Sequence, residues 1–361
     1  MKKQHISENI KKTCDYIEMG SCFQPEGIRT CVHGTYQGPL IATKEELAGE
    51  TITYEKIVAR RNAIIENINS ENPDNNLPCL TCSHLKRKNE NEIDTSHLGG
   101  KKLTAGLNIQ HYTACNQRCT YCTFTINDNW IKPQYDPIKY FEIFKENGKL
   151  RGNNWIDFSG GETSLLKDFD RILNFIIDND LGAVVVYTNA TTFKQSLFDA
   201  LKNNKSSMEY DRRVILTTSL ETGIPSTYNK IRARNDFEKV IANLIRYKSS
   251  GSKNIWLKYI ITPENETEDD LWSFIFAMCT IKPERVLICP EFYGNKQKVP
   301  QKTVEFAAKL WCLVENIVQA RPIDYTMDFG STTWEQYHKD LAAAIKIEQK
   351  RQETIGISKT T

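Results

Sequence analysis

The sequence lacks the features that would place it in a membrane or outside the cell. No stretch reaches the ~18–20 uninterrupted apolar residues of a membrane span, and the first residues, MKKQHISENIKK, are charged and carry no apolar run of a secretory signal. The chain also lacks an excess of charge of one sign, since 47 lysines and arginines and 45 aspartates and glutamates leave a net charge of +2. We therefore expect a cytoplasmic protein that binds neither membranes nor nucleic acid.

The sequence also has no internal repeat, no low-complexity segment and no glycine-rich dinucleotide-binding fingerprint. It does have enough apolar residues for a core, because 40% of its 361 residues are hydrophobic. At roughly 100–200 residues per domain, this length indicates one large domain and a smaller one.

From about residue 98, short apolar runs alternate with longer amphipathic segments, a pattern typical of βαβ units around a parallel sheet. We predict an α/β fold: a partial (β/α)6 TIM-like barrel over residues 98–330, a small cysteine-rich module over residues 1–97 with one helix at Tyr54–Ile68, and a C-terminal helix and tail over residues 331–361. The predicted barrel strands are Leu103–Gln110, Trp155–Phe158, Ala183–Tyr187, Val214–Ser219, Ile255–Ile261, Val286–Ile288 and Ile323–Met327.

Eleven cysteines are the most informative part of the composition. In a reducing compartment, grouped cysteines are more often metal ligands or catalytic thiols than disulfides. Cys115, Cys119 and Cys122 follow the first predicted strand with the spacing C-x3-C-x2-C. Three thiolates on one loop can hold three irons of a [4Fe–4S] cube and leave the fourth iron open to another ligand. The alternatives are a zinc site completed by His111 or a more distant residue and a catalytic CxxC thiol pair.

This triplet, with the aromatic Tyr121 directly before its third cysteine, resembles the signature of the radical S-adenosylmethionine (SAM) enzymes. The resemblance implies that SAM chelates the open iron through its amino and carboxylate groups. It also implies that electron transfer cleaves SAM to methionine and a 5′-deoxyadenosyl radical, and that Tyr121 lies against the adenine.

Further matches to this family follow the ends of the next predicted strands: Gly160-Gly161-Glu162, Asn189, Ser219 and, 13 residues later, Arg232. Barrel enzymes build their sites at these carboxyl ends. The resemblance implies that Glu162 binds the ammonium of SAM, that Ser219 and Arg232 hold its ribose or carboxylate end, and that Asn189 lies in the same cleft. The two glycines would let the backbone approach the ligand closely.

The first module contains two further cysteine pairs: Cys22 with Cys31, and Cys79 with Cys82. Four thiolates can bind a second [4Fe–4S] cluster or a structural zinc, or remain unliganded. The segment resembles the SPASM-type auxiliary-cluster module, although that module usually follows the barrel and here it precedes it. Cys14 is an alternate ligand.

We therefore predict a radical SAM enzyme with a SPASM-like auxiliary iron–sulfur module before its barrel. The 5′-deoxyadenosyl radical would abstract hydrogen from a small-molecule or peptide substrate, and a donor such as flavodoxin or ferredoxin would supply electrons. A peptide-modifying maturase is one alternative, and a zinc-stabilised binding or scaffold protein is another. No residue stands out as a second hydrogen donor, but Cys289 is a candidate because it ends the sixth strand.

Overall fold

A computed structural model describes residues 9–33, 36–100, 106–122, 124, 130–152, 154–203, 214–291, 299–326 and 331–357. The strands are β1 (Ile10–Thr13), β2 (Ser21–Gln24), β3 (Gly27–Arg29), β4 (Val32–His33), β5 (Tyr36–Gln37), β6 (Leu40–Thr43), β7 (Lys86–Asn89), β8 (Gly106–Ile109), β9 (Asn154–Phe158), β10 (Gly182–Tyr187), β11 (Val214–Ser219), β12 (Ile255–Ile261), β13 (Arg285–Pro290) and β14 (Arg321–Asp324). The helices are α1 (Asp15–Met19), α2 (Lys44–Ala48), α3 (Tyr54–Ile68), α4 (Pro137–Glu146), α5 (Phe169–Asp178), α6 (Gln195–Asn203), α7 (Pro225–Arg232), α8 (Phe237–Lys248), α9 (Glu268–Ile281), α10 (Gln301–Leu313) and α11 (Ser331–Thr354).

One sheet of ten strands organises the molecule, in the order β14-β13-β12-β11-β10-β9-β8-β2-β3-β6. Strands β8 to β14 are parallel to their neighbours and follow one another in chain order. Helices separate them, as βαβ units require. Within the described residues the sheet has two ends, β14 and β6, so the barrel is partial. The predicted fold class is confirmed.

The two faces of the barrel strands contact different surroundings, because side chains alternate along a strand. On β12, Ile255, Leu257 and Tyr259 pack in the main core between sheet and helices. Trp256 points the other way, into a small cluster with residues of β10, β11 and β13. The second face therefore lines the interior of the barrel, where barrel enzymes bind substrates at the carboxyl ends of the strands.

The N-terminal part contributes strands to this same sheet. β2 runs parallel to β8, with Cys22 opposite Asn108, and β3 and β6 follow it antiparallel. Phe23 of β2 packs against Tyr140 and Phe141 of α4, with ring centroids 5.5 and 5.1 Å apart. Two short antiparallel pairs, β1–β7 and β4–β5, complete this part.

Helix α3 has the bounds that the sequence predicts, and Thr53 caps it by accepting a hydrogen bond from Lys56 N at 3.3 Å. The C-terminal helix is also present, as α11. The beginning of the first predicted strand (residues 103–105) and Met327, the end of the last one, lie outside the described residues. Among the residues described, no helix is both long enough and apolar enough to span a bilayer.

Candidate active site

The loop that carries the cysteine triplet leaves the carboxyl end of β8 and is held by backbone hydrogen bonds from two sides. Arg118 N and Thr120 N donate to the carbonyls of Arg232 and Ile231 at 3.1 and 2.9 Å, which fixes the loop to the end of α7. On the other side, Glu162 N donates to the carbonyl of Ala114 at 2.8 Å. The loop therefore lies between the ends of β9 and β11.

Burial is the main cause that raises the pKa of Cys115 and of Cys119. The neighbouring thiols of the triplet add to it, those of Cys119 and Cys122 at Cys115 and that of Cys122 at Cys119. Burial raises the pKa of Cys115 to about 12. The sulfurs receive hydrogen bonds from Gln117 N at 3.4 Å (to Cys115) and from Arg232 Nη1 at 3.2 Å (to Cys119). Buried thiols that attract N–H donors fit an iron–sulfur cluster, because bound iron replaces the thiol protons and such donors stabilise thiolate.

A single metal ion, unlike a cluster, requires several side chains to converge on one point. Among the described residues, no group of three or more His, Cys, Asp or Glu side chains is placed to hold one ion. A four-iron cube instead takes each thiolate on a different iron. The His111 ring packs against Tyr112 and Tyr135, and burial lowers the pKa of its imidazole to about 4.

The turn after β9 contacts the cysteine loop so closely that both of its glycines are needed. Gly160 has a φ of +115°, and a Cβ at Gly161 would lie 2.0 Å from the carbonyl oxygen of Ala114. The sequence predicted that these glycines allow a close approach to a ligand. The structure shows that they allow a close approach to the backbone of the cysteine loop.

Glu162 is 2% exposed and organises the cleft beside this turn. Its Oε1 accepts hydrogen bonds from Ser164 N at 3.0 Å and from the Thr188 hydroxyl at 2.5 Å, and its Oε2 accepts from Asn189 N at 2.6 Å. A carboxylate offers about four lone-pair positions. One position, on Oε2, therefore remains for a further donor.

Asn189 connects the end of β10 to the cysteine loop. Its amide donates to Asn116 Oδ1 at 2.7 Å and lies 4.0 Å from the sulfur of Cys115. Thr191 donates to Asn189 Oδ1 from both its backbone and its hydroxyl. The side chain of Asn189 is therefore fixed next to the first cysteine.

Arg232 and Tyr121 meet at Glu221, which is completely buried. Glu221 accepts hydrogen bonds from both Nε and Nη2 of Arg232 and from the Tyr121 hydroxyl. Arg232 also donates to the carbonyl of Ser219 at 2.6 Å. Ser219 of β11 and Arg232 of α7, both predicted to bind SAM, therefore lie together. The guanidinium of Arg232 is already paired with the carboxylate of Glu221.

The sequence predicted no role for two side chains of this site, Glu221 and Gln117. Glu221 stands two residues after Ser219, and the pairing of an acid with the later arginine was the signal that could have identified it. Gln117 lies in the cysteine loop and donates to the Tyr228 hydroxyl at 2.8 Å. It has no sequence signal beyond its position between two of the cysteines.

Residues 109–277 match the sequence profile of the Radical SAM superfamily. This segment carries the cysteine triplet, the GGE turn and Arg232 in the arrangement just described. Residues 109–277 therefore match a radical SAM domain.

Curated relatives support this domain and not the whole chain. The chain is 29% identical to a GTP 3′,8-cyclase of Clostridium botulinum strain Okra and 30% identical to that of strain Hall, over 166 residues in both cases. The aligned part is 45% of this chain and 49% of each relative. The chain therefore spans about half the length of these relatives.

Several solved structures are similar at lower identity. SuiB of Streptococcus suis bound to S-adenosylmethionine is 16% identical, with a TM-score of 0.49 over 66% of this chain and 53% of SuiB. SuiB bound to its precursor peptide SuiA is 15% identical, with a TM-score of 0.48 over 91% of this chain and 75% of SuiB. The structure of anSMEcpe with bound AdoMet is 15% identical, with a TM-score of 0.46 over 61% of this chain and 62% of that one.

The N-terminal cysteines lie outside the segment that matches the radical SAM profile. Four of their thiols lie within electrostatic range of one another in every pairing: Cys14, Cys31, Cys79 and Cys82. Burial raises the pKa of Cys14 to about 11 and that of Cys79 to about 12. The structure therefore groups three of the predicted auxiliary ligands with Cys14.

Cys22 has different surroundings. It lies on β2, is 1% exposed and receives a hydrogen bond from Gln110 Nε2 at 3.6 Å. It is within electrostatic range of Cys31 but also of Glu26 and of Asp157, which lies on β9 in the segment that matches the radical SAM profile. Its side chain is thus on the barrel side of the sheet.

The N-terminal group and the triplet lie at opposite ends of the barrel strands. Cys14 begins the helix that leads into β2, and Cys31 follows β3, whose end lies beside the start of β2. The triplet follows the carboxyl end of β8, which is parallel to β2. A strand of four residues separates the two ends by about 13 Å.

Cys289 lies near the end of β13 and is completely buried. It faces Ile260 of β12 in the sheet register. Its thiol lies within electrostatic range of Tyr337 on α11. A role for Cys289 as a hydrogen donor remains a prediction.

Proposed function

We propose that this chain is a radical SAM enzyme in which Cys115, Cys119 and Cys122 hold a [4Fe–4S] cluster and SAM occupies the cleft beside them. When bound, the cluster supplies the electron that cleaves SAM to methionine and a 5′-deoxyadenosyl radical, which takes a hydrogen atom from the substrate. The observation that carries this proposal is the meeting of three thiols with Glu162, Asn189 and Arg232 at the carboxyl ends of β8 to β11.

The residues of the chain bind and orient SAM in this proposal. Glu162 accepts the SAM ammonium at its remaining lone pair, because its other positions hold the ends of β9 and β10 in place. Tyr121 lies against the adenine. Ser219 binds the ribose or carboxylate end of SAM, and Arg232 holds Cys119 and faces the same end.

Release of 5′-deoxyadenosine tests this function. Anaerobically reconstituted protein with SAM and a strong reductant should release 5′-deoxyadenosine, and Cys119→Ala should not, because one iron loses its thiolate. Cys279→Ala is the matched control, since Cys279 is exposed on α9. Release by Cys119→Ala at the wild-type rate would contradict the assignment of the loop.

The four-thiol group of the N-terminal part is proposed as a second, auxiliary [4Fe–4S] centre. Cys31, Cys79 and Cys82 are three of the ligands predicted from the sequence. The mutual proximity of the four thiols supports Cys14 as the fourth ligand in place of Cys22. Four cysteine thiolates complete the coordination of such a cluster.

Iron content tests the second centre. The wild type should bind about eight irons per chain, and replacing Cys115, Cys119 and Cys122 together by alanine should leave about four. In that background Cys14→Ser should lose the remaining iron, whereas the matched variant Cys22→Ser should keep it. The remaining cluster should not change its EPR spectrum when SAM is added, because it has no open iron.

Two results would contradict this assignment. Iron loss in Cys22→Ser with retention in Cys14→Ser would restore the ligand set predicted from the sequence. One zinc and no iron in the triple variant would make the centre a structural zinc site instead.

The remaining parts of the proposal concern partners. The substrate is a small molecule or a peptide that enters the barrel at the carboxyl ends of its strands. An external one-electron donor such as flavodoxin or ferredoxin reduces the cluster. We place the protein in the cytoplasm, a reducing compartment in which grouped cysteines serve as metal ligands.

A further inference from the structure

Lys258 places a cation inside the barrel. It lies in the middle of β12 and is 8% exposed. It is two residues from Trp256, so both side chains point to the interior face of the sheet. Its neighbours in the register are Ser219 of β11 and Leu287 of β13.

The ammonium of Lys258 lies near two aromatic rings. Its Nζ lies 4.0 Å from the ring centroid of Tyr325 and 5.3 Å from that of Tyr187. The two hydroxyls of these tyrosines are 3.5 Å apart, so the rings form one wall across the interior. No ion pair links Lys258 to a carboxylate within the part of the chain that the structure describes.

A second polar group faces the same interior. Thr217 of β11 lies in register with Tyr187 and Trp256, and it alternates with Ile215, which belongs to the interior cluster. Its hydroxyl is buried and has no hydrogen-bond partner among the described residues. Among the described residues, the ammonium of Lys258 and the hydroxyl of Thr217 therefore both face the barrel interior without a hydrogen-bond acceptor or an ion-pair partner.

Burying a charge without a counter-ion is unfavourable, and two tyrosine rings compensate only part of that cost. An oxyanion would supply the missing partner, because carboxylates and phosphates accept hydrogen bonds from both an ammonium and a hydroxyl. Lysine keeps three rotatable donors for this purpose. The interior thus has the chemistry of an anion receptor.

The location favours the substrate over SAM as the source of the anion. Lys258 is the register neighbour of Ser219, a proposed SAM residue. The ring nearer to its ammonium is that of Tyr325, which follows β14, on the side of the sheet away from β8 and the cysteine triplet. The strands β12 to β14 contribute none of the proposed SAM residues.

We infer that Lys258, with Tyr187, Tyr325 and Thr217, binds a carboxylate or phosphate group of the substrate inside the barrel. The substrate is therefore anionic at the portion that enters the barrel. This inference rests on the proposed radical SAM function, because it places the substrate in the same interior.

Anion titration of the reconstituted full chain with SAM bound tests the inference. The probes are inorganic phosphate and succinate at constant ionic strength, and the signal is tryptophan fluorescence, since Trp256 and Trp155 stack 6.0 Å apart in this interior. Wild type should show saturable binding of at least one probe. Lys258→Met should weaken it about tenfold or more, and Lys258→Arg should keep most of it.

Lys253→Met is the matched control, because Lys253 is exposed just before the same strand, and it should bind the probe as the wild type does. Whether phosphate or succinate binds more tightly identifies the class of oxyanion. No saturable binding by the wild type, or equal binding by wild type and Lys258→Met, would overturn the inference.

SAM affinity, measured by equilibrium dialysis on the same variants, separates the two possible anions. A tenfold loss of SAM affinity in Lys258→Met would mean that the ammonium serves the SAM carboxylate and would also overturn the inference. The proposed function is tested separately by 5′-deoxyadenosine release from the wild type. If the wild type binds the anion through Lys258 but releases no 5′-deoxyadenosine, the proposed function is contradicted and the inferred anion site stands.

Discussion

The guanidinium of Arg232 donates hydrogen bonds to two different groups, the carboxylate of Glu221 and the sulfur of Cys119. The family resemblance implied contact with SAM alone. Its burial beside Glu221 shows that it also fixes the cysteine loop, whose backbone bonds to the end of the same helix. A substitution of Arg232 would therefore alter cluster binding as well as SAM binding.

Glu221→Ala tests this arrangement at the scale of one residue. Because it leaves the Arg232 charge buried without its partner, we expect a loss of roughly 3–5 kcal/mol in the free energy of unfolding and less iron at the triplet. Anaerobic urea denaturation and iron analysis measure both. Glu238→Ala, at an exposed acid on the neighbouring helix α8, should change the stability by no more than about 0.5 kcal/mol. Equal stability of the two variants would show that the ion pair does not hold the loop.

Which part of the site could be predicted depends on whether a residue's role follows from spacing along the chain. Cys115, Cys119 and Cys122 are adjacent in sequence, so their spacing alone predicts that they meet. Cys14 and Cys22 are far from their partners, and the direction of each side chain decides the grouping. Cys22 is on a strand, where alternate residues point to opposite faces, and no sequence pattern showed that this strand of four residues existed.

At the scale of elements, helix α3 connects the N-terminal strands through Arg61, which is completely buried. Its guanidinium donates to the carbonyls of Glu18, Gly20 and His97 at 2.5, 2.9 and 2.8 Å. These carbonyls belong to the end of α1, the start of β2 and the connection to the barrel. The periodicity of α3 predicted its bounds, but not that one of its arginines points inward.

Arg61→Met should lower the free energy of unfolding by about 3 kcal/mol or more, because it leaves buried carbonyls without donors at roughly 1–3 kcal/mol each. Arg60→Met is the control on the same helix. Arg60 pairs with Glu46 near the surface, where such pairs contribute about 1 kcal/mol or less. Urea denaturation of both variants measures the difference in their free energies of unfolding. Similar losses in the two variants would contradict the proposed role of Arg61.

At the scale of the whole molecule, the barrel and the N-terminal part share one sheet. The barrel strands β9 to β13 were predictable because each is a compact apolar run bounded by polar residues. The continuation of the sheet through β2, β3 and β6 was not, since these strands are short and their pairing joins distant parts of the chain.

Removal of residues 1–97 should therefore prevent the barrel from folding as a stable monomer. The deletion exposes the edge of β8 and uncovers Tyr140 and Phe141, and exposed edges and apolar surface favour aggregation. Size-exclusion chromatography and thermal melting would measure this. A chain that ends at Thr354, where the following Ile355 is exposed, should behave as the full chain does. A monomeric barrel fragment with a cooperative melt would contradict the prediction.

The separation of the two cysteine groups along β2 and β8 limits how they can cooperate. A substrate held at the carboxyl ends of the strands cannot reach a centre at their amino ends. The length of β8, about 13 Å over its four residues, separates the two ends. An auxiliary cluster at Cys14, Cys31, Cys79 and Cys82 would therefore not ligate the substrate. It would exchange electrons with the radical chemistry across β2 and β8, and its four thiolates would cross-link residues 14 to 82 of the N-terminal part to one another.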